Sequence, residues 1–205
     1  MSDRRHDWLW GEGVPSPIAG SKKGQSCLLV GSAPCVFEDL AAVDGWDFHH
    51  KTAVNHALLV LKTQADSYCS LHPDWNASMM MVSGLLRGPG RGKFVLAHGA
   101  IDHPEVGVVW AFRTQRGTSG LFALRAMLAW GFDKIILAGL PFDASGHFFD
   151  RPEDPVLPAA EYGVSEKDCR LWREAAEVFG ERVRSLSGNT AEWFGQPTKE
   201  WFDGQ

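Results

Sequence analysis

The stretch from Thr118 to Leu140 constrains this chain more than any other. Thr118 or Ser119 can cap a helix on which Leu121, Phe122, Leu124, Met127 and Leu128 recur at helical spacing. Gly131 supplies the stop, and Lys134-Ile135-Ile136-Leu137-Ala138-Gly139 then forms a continuous apolar run. A run of that length without alternation reads as a strand covered on both faces, so the unit is half of a βαβ crossover. A second apolar run, Cys27-Leu28-Leu29-Val30, is broken by Gly31-Ser32-Ala33-Pro34-Cys35 and followed by a helix with Val36, Leu40 and Val43 on one side. Strands alternating with helices predict an α/β fold, Rossmann-like, with a mostly parallel sheet and helices on both faces. Ligands of such sheets sit beyond the carboxyl ends of the strands.

Further strands are expected about Trp46 to Ala53, Asp66 to Leu71, Lys93 to Ala97, Val108 to Phe112 and Arg182 to Leu186, with an apolar helix through Ala57 to Leu61. Ser165-Glu166-Lys167-Asp168 resembles a capping box in which Asp replaces the usual Glu or Gln, and it opens a helix presenting Leu171, Trp172, Ala175 and Phe179 on one face. The organisation is then residues 1-25 as an N-terminal arm, 26-188 as the Rossmann-like nucleotide-binding domain, and 189-205 as a Trp-rich C-terminal tail. In the tail Trp193-Phe194 and Trp201-Phe202 echo one another. Two copies are too few for a solenoid, and they are expected to dock on the domain or to join two subunits as a homo-oligomer.

Composition removes several function classes. Twenty basic against 25 acidic residues give a formal charge of -5, so no broad positive field is available for a phosphate backbone, and nucleic acid is not the expected partner. No apolar run approaches the roughly 20 residues of a membrane span, and the polar start lacks a signal-peptide core, so the expected location is cytoplasmic. Cys27, Cys35, Cys69 and Cys169 are far apart with no CxxC pair, which reads as reduced, mostly buried thiols. His49, His50, His56, His98 and His103 show no paired metal-ligand spacing, and no metal site is expected.

Two glycine-containing loops carry the chemistry. Gly31-Ser32-Ala33-Pro34 follows a strand, and its small side chains let a ligand approach backbone N–H groups at a helix start. A plain structural turn would also need a glycine there. Gly31→Val is expected to abolish nucleotide binding, by filling that approach and resisting the turn's backbone angles. Arg116-Gly117-Thr118-Ser119-Gly120 opens the next helix; Thr118 and Ser119 can bind a phosphate or carboxylate, or can simply cap. Asp143 lies just past the buried strand, and His147 follows in a loop flanked by Gly146, Phe148 and Phe149. His147 can act as a general base near neutral pH, with His72 as the second candidate.

Three segments together resemble the bacterial lipooligosaccharide sialyltransferases and the related domain of archaeal hydroxymethylpterin pyrophosphokinases and phage proteins of unknown role. Leu28-Leu29-Val30-Gly31-Ser32-Ala33-Pro34-Cys35 is similar to that family's first strand ending in Asn-Gly-Pro-Ser. Val54-Asn55 resembles its second-strand Asn, and Arg116 to Gly120 with the strand through Gly139 resembles its Thr-Ser-Gly helix and Gly-x-Asp strand end. The resemblance implies nucleotide contacts for Gly31, Ser32, Ala33, Pro34, Asn55, Arg116, Thr118, Ser119 and Gly120. It implies a nucleotide-sugar co-substrate with no bound cofactor, and glycosyl transfer as the activity. Ser32 stands at the family's Asn, and the family's catalytic histidine lies well beyond the Gly-x-Asp strand, whereas no histidine follows His147 here. Two alternatives stay open: a Mg²⁺-dependent diphosphotransferase using Asp143, Asp150, Glu153 and Asp154, and a non-enzymatic nucleotide-binding protein.

Overall fold

The computed structural model describes residues 19–71, 94–96, 106–109, 117–151, 153 and 164–204, the stretches 94–96 and 106–109 by backbone alone. Five strands form one all-parallel sheet: β1 (Ser26–Val30), β2 (His50–Val54), β3 (Ser67–Cys69), β6 (Lys134–Ala138) and β7 (Val183–Ser185), in the order β3-β2-β1-β6-β7. Between β3 and β6 in sequence, β4 (Phe94–Leu96) and β5 (Val106–Val109) pair with each other, also in parallel. The helices are α1 (Val36–Ala42), α2 (Leu58–Leu61), α3 (Ser119–Trp130), α4 (Glu166–Phe179), α5 (Gly188–Phe194) and α6 (Lys199–Asp203). The fold is α/β and Rossmann-like. The chain adds β2 and β3 on one side of β1, then returns to build β6 and β7 on the other, so β1 and β6 flank a topological switch point.

Alternation along the strands divides the core cleanly. Cys27, Leu29, Ile135, Leu137 and Val183 face α3, α4 and α5, while Leu28, Val30, Ala53, Ile136 and Ala138 face α1, α2 and α6. Every residue of β1 is buried, because no face of that strand meets water. Helix α3 is buried at every position but Ala129, so one amphipathic stripe would not have revealed it. Its ends follow the sequence. Thr118 Oγ1 accepts the Leu121 N–H at 3.4 Å, and Gly131 takes the left-handed conformation (φ 110) with its N–H on Met127 and Leu128 carbonyls.

Several expected boundaries move. The second strand begins at His50 and not at Trp46, because residues 46–49 run irregularly after the turn at 43–45, stacking Trp46 on Phe48 and setting its ring at a tilt against Phe202. The apolar helix after Asn55 has one four-residue α turn, Leu58–Leu61, between two 3₁₀ turns; Lys62 at φ 51 ends it. At α4, Ser165 Oγ accepts the Asp168 N–H at 3.0 Å, but the Asp168 carboxylate takes the Ser165 hydroxyl instead of returning to its N–H. The two Trp-Phe pairs dock on the domain itself. Phe194 enters the α3/α4 side of the core and Phe202 the α1/α2 side, while Lys134 and Arg184 lie over the Trp201 ring. Cys27 and Cys69 are buried and Cys35 and Cys169 half-buried; burial pushes the Cys27 thiol up to about 12. Among the described residues no helix is long and apolar enough to cross a membrane.

Candidate functional site

Two glycines set the floor of the site. Gly31 follows β1 and Gly139 follows β6, and the chain segments meet so closely there that Ala33 N–H reaches the Gly139 carbonyl at 3.1 Å. A Cβ on Gly31 would lie 2.3 Å from Gly139 O and 2.4 Å from Leu140 Cδ2; one on Gly139 would lie 2.7 Å from Gly31 O. Gly139 also needs its positive φ of 62, whereas Gly31 does not. The glycine at 31 is therefore demanded by a neighbouring strand end, and the expected strain in the turn's own backbone angles is not the reason.

Asp39 locks this crossing from below. On α1 it falls three residues after Val36 and is only 5% exposed; its Oδ2 accepts the Gly139 N–H at 2.7 Å and the Ser187 hydroxyl at 2.8 Å. The start of α5 holds the next residues: Thr190 Oγ1 donates to Leu140 O at 2.7 Å, Thr190 N–H reaches Pro141 O, and Asn189 Nδ2 donates to Phe142 O. Sequence reasoning missed Asp39, although an acid on the apolar side of a short helix is the signal that exposes it.

Above this floor opens a cavity of about 680 Å³. It brings together Gly31, Ser32, Ala33, Asn55, Thr118, Ser119, Gly120, Asp143 and His147 from the sequence reading, with Leu71, Phe142, Val164, Asp168 and Trp172 not foreseen. Pro34 is exposed and does not line it. His72 and Arg116 lie outside the described residues.

The first-turn N–H groups of α3 at Ser119 and Gly120 border the cavity, where a helix of twelve residues leaves donors without intrahelical partners. Both hydroxyls of this loop also carry structural bonds. Thr118 Oγ1 accepts from Trp172 Nε1 at 3.3 Å besides its cap, and Ser119 Oγ accepts the Leu71 N–H at 3.4 Å. The backbone remains the natural anion donor. Gly120 has no room for a side chain, since its Cβ would meet Leu140 at 2.9 Å and Trp172 at 3.3 Å. Asn55 follows β2 at φ 50, a left-handed conformation in which Asn is among the few tolerated side chains, and its Oδ1 is buried with no hydrogen-bond partner among the described residues.

On the far wall His147 is held by its backbone and its ring. Its N–H donates to Asp150 Oδ2 at 2.6 Å, its Nδ1 lies 2.9 Å from Ser32 Oγ, and the next residue's N–H donates to the Ser32 carbonyl at 2.8 Å. Its ring stacks on Phe149 at 5.0 Å, with His56 at 5.9 Å. Burial lowers the imidazole below its ordinary 6.5, against an opposing pull from Asp150 and from a hydrogen bond with the Ser32 backbone. Burial thus favours the neutral imidazole, the form that can accept a proton. Asp143 is exposed at the rim, its Oδ1 turned to the Ser145 N–H at 2.9 Å. Among the described residues no three His, Cys, Asp or Glu side chains gather as a metal site; Asp154 lies outside them.

The switch-point cavity and the strand order now allow comparison with solved proteins. The fold is shared with sialyltransferases. This chain matches the sialyltransferase CstII from Campylobacter jejuni, in complex with a substrate analogue, cytidine-5'-monophosphate, with a TM-score of 0.59 and 12% identity over 89% of this chain and 97% of that one. It also matches CST-II in complex with trisaccharide acceptor and CMP, with a TM-score of 0.56 and 11% identity over 88% and 98% of the two chains. No protein-family model and no curated protein matches the sequence. At such identity the likeness establishes the fold.

Proposed function

We propose that the chain is a glycosyltransferase that takes a cytidine nucleotide sugar into the switch-point cavity and passes the sugar to an acceptor hydroxyl. The observation that carries this reading is the cavity itself. It has the volume of a small-ligand site, lies at the carboxyl edge between β1 and β6, and joins a helix N-terminus to a neutral histidine in a fold whose solved neighbours hold CMP. In this reading the nucleotide lies over the Gly31–Ala33 turn and beside Asn55, with its phosphate at the Ser119 and Gly120 N–H groups. The acceptor proton passes to His147 as the acceptor oxygen bonds to the anomeric carbon; the bond from that carbon to phosphate breaks, and CMP leaves with the electron pair. The α3 N-terminus favours that departing charge by about 0.3 to 1 kcal/mol.

A diphosphotransferase is less well served. It would need carboxylates presented to Mg²⁺, and those of Asp143 and Asp150 are turned to backbone N–H groups. The test is a thermal-shift panel of nucleotides and nucleotide sugars with Mg²⁺ or with chelator, followed by turnover with the best donor. CMP and CMP-sugars should stabilise the protein with or without Mg²⁺, by about 2.7 kcal/mol at a hundredfold excess over Kd. His147→Ala should lower turnover by about 10²- to 10⁴-fold while CMP affinity stays within a few-fold. Because burial lowers the His147 pKa, the parent's activity should persist below pH 6.5 and fall as acid finally protonates the ring. A panel in which no cytidine compound stabilises the chain, or a Mg²⁺-dependent transfer from ATP lost on Asp143→Ala, overturns the reading.

A further inference from the structure

The first turn does something that neither its glycine nor its likeness to a nucleotide loop foretold. We propose that Ser32 is a positioning residue for His147: its hydroxyl accepts a hydrogen bond from Nδ1–H, which fixes the tautomer and the orientation of the ring. The inference rests on the reading of His147 as the base.

Three features support it. The Ser32 Oγ to His147 Nδ1 distance of 2.9 Å is a hydrogen bond between residues 115 apart in sequence, so the fold alone brings them together. Ser32 is 6% exposed and its carbonyl accepts the Phe148 N–H at 2.8 Å, so the same residue grips the histidine loop twice, once by side chain and once by backbone. The ring cannot swing away without losing its stack on Phe149, and the His147 N–H is tied to Asp150. Which imidazole nitrogen holds the proton is decided by the partner of the other one. A serine hydroxyl serves because it accepts without adding charge, and so leaves the ring neutral where a carboxylate would favour imidazolium. Among the described residues the titratable groups near this ring are Asp150 on its own loop and His56 after β2, while Asp143 and Asp168 of α4 line the same cavity.

The sequence reading gave Ser32 a nucleotide contact, and the two roles separate in experiment. Long-range proton–nitrogen spectra of the ¹⁵N-labelled full chain, with His147→Gln to assign the signals, report tautomer and titration directly. The parent should show the Nδ1–H form of His147. Ser32→Ala should shift the ring toward the Nε2–H form and move its titration midpoint. CMP affinity should stay within about twofold, and kcat should fall by about tenfold at unchanged donor KM, the loss expected of one neutral hydrogen bond. Ser32→Thr, which keeps the hydroxyl, should restore the Nδ1–H form. An Nε2–H tautomer in the parent overturns the proposal whether or not any variant folds. So does a folded Ser32→Ala with unchanged imidazole signals, or one that loses tenfold in CMP affinity while the ring is unaffected. If the parent binds no cytidine nucleotide but shows the Nδ1–H form and its loss on Ser32→Ala, the glycosyl-transfer reading falls and the Ser32–His147 geometry stands.

Discussion

His50 and His147 stand at opposite ends of the same sheet, and burial lowers both from the ordinary histidine value. His50 begins β2 at the amino edge. Its ring packs against Trp130 at 5.0 Å and Phe132 at 5.2 Å, and its Nε2 meets Ser67 Oγ at 2.8 Å. Ser67 Oγ lies 2.7 Å from Thr52 Oγ1, which in turn reaches Cys27 and Met127, so the polar chain ends inside the protein. His147 follows β6 at the carboxyl edge, where its ring meets Ser32 on the wall of the cavity. The lowered titration is common to both and decides nothing; what differs is whether the surrounding groups close on one another or open onto a space. Parallel strands leave that space only at the edge where the connections diverge.

The sharpest way to break this contrast is to disturb the carboxyl edge where it has no slack. Gly31→Val places a branched side chain against the Gly139 carbonyl and Leu140, and neither the β6 backbone nor the α5 contacts behind it can retreat. The expected loss is about 3 kcal/mol or more, read as a shift in the urea midpoint, with nucleotide binding lost as a consequence of the damaged fold. A variant within about 1 kcal/mol of the parent would show that the two strand ends are not the rigid floor described above.

At the amino edge the expected effect is smaller and depends on pH. Burial, opposed by Asp66 and assisted by Lys22, lowers His50 to about 4 from 6.5. The unfolded chain then binds the proton more readily than the native one, so the stabilisation is complete above pH 6.5 and is lost as pH falls toward 4. A shift of that size is on the order of 3 kcal/mol across the window. His50→Gln should flatten the fall of melting temperature between pH 6.5 and 4 relative to the parent. Identical slopes would mean that His50 is protonated without cost, and the contrast between a sealed and an open histidine would lose its physical basis.

Much of the frame was legible because its signals are local. The apolar runs at Leu28 and Ile135, the Thr118 cap and the Gly131 stop each act within one element, and they placed β1, α3 and β6 with little error. The cavity followed from the same signals, since glycine-containing turns after adjacent parallel strands face one edge. What stayed hidden depends on residues distant in sequence. Gly31 is required by Gly139, Asp39 serves the same Gly139 across 100 positions, and Ser32 meets His147 across 115. Nothing within one segment marks such partners. Pro34 is exposed and does not line the cavity as its neighbours Ser32 and Ala33 do, and His50 carried no pattern because its partners Trp130 and Phe132 arrive from the far end of α3.

The central claim is that the carboxyl edge between β1 and β6 is a nucleotide site, and a crystal structure of the full chain grown with CMP tests it most directly. The account predicts CMP in the switch-point cavity, with its phosphate within about 3 Å of the Ser119 and Gly120 N–H groups and the Ser32 hydroxyl still on His147. Crystals grown at saturating CMP with an empty cavity, or with the nucleotide bound elsewhere on the chain, would contradict it.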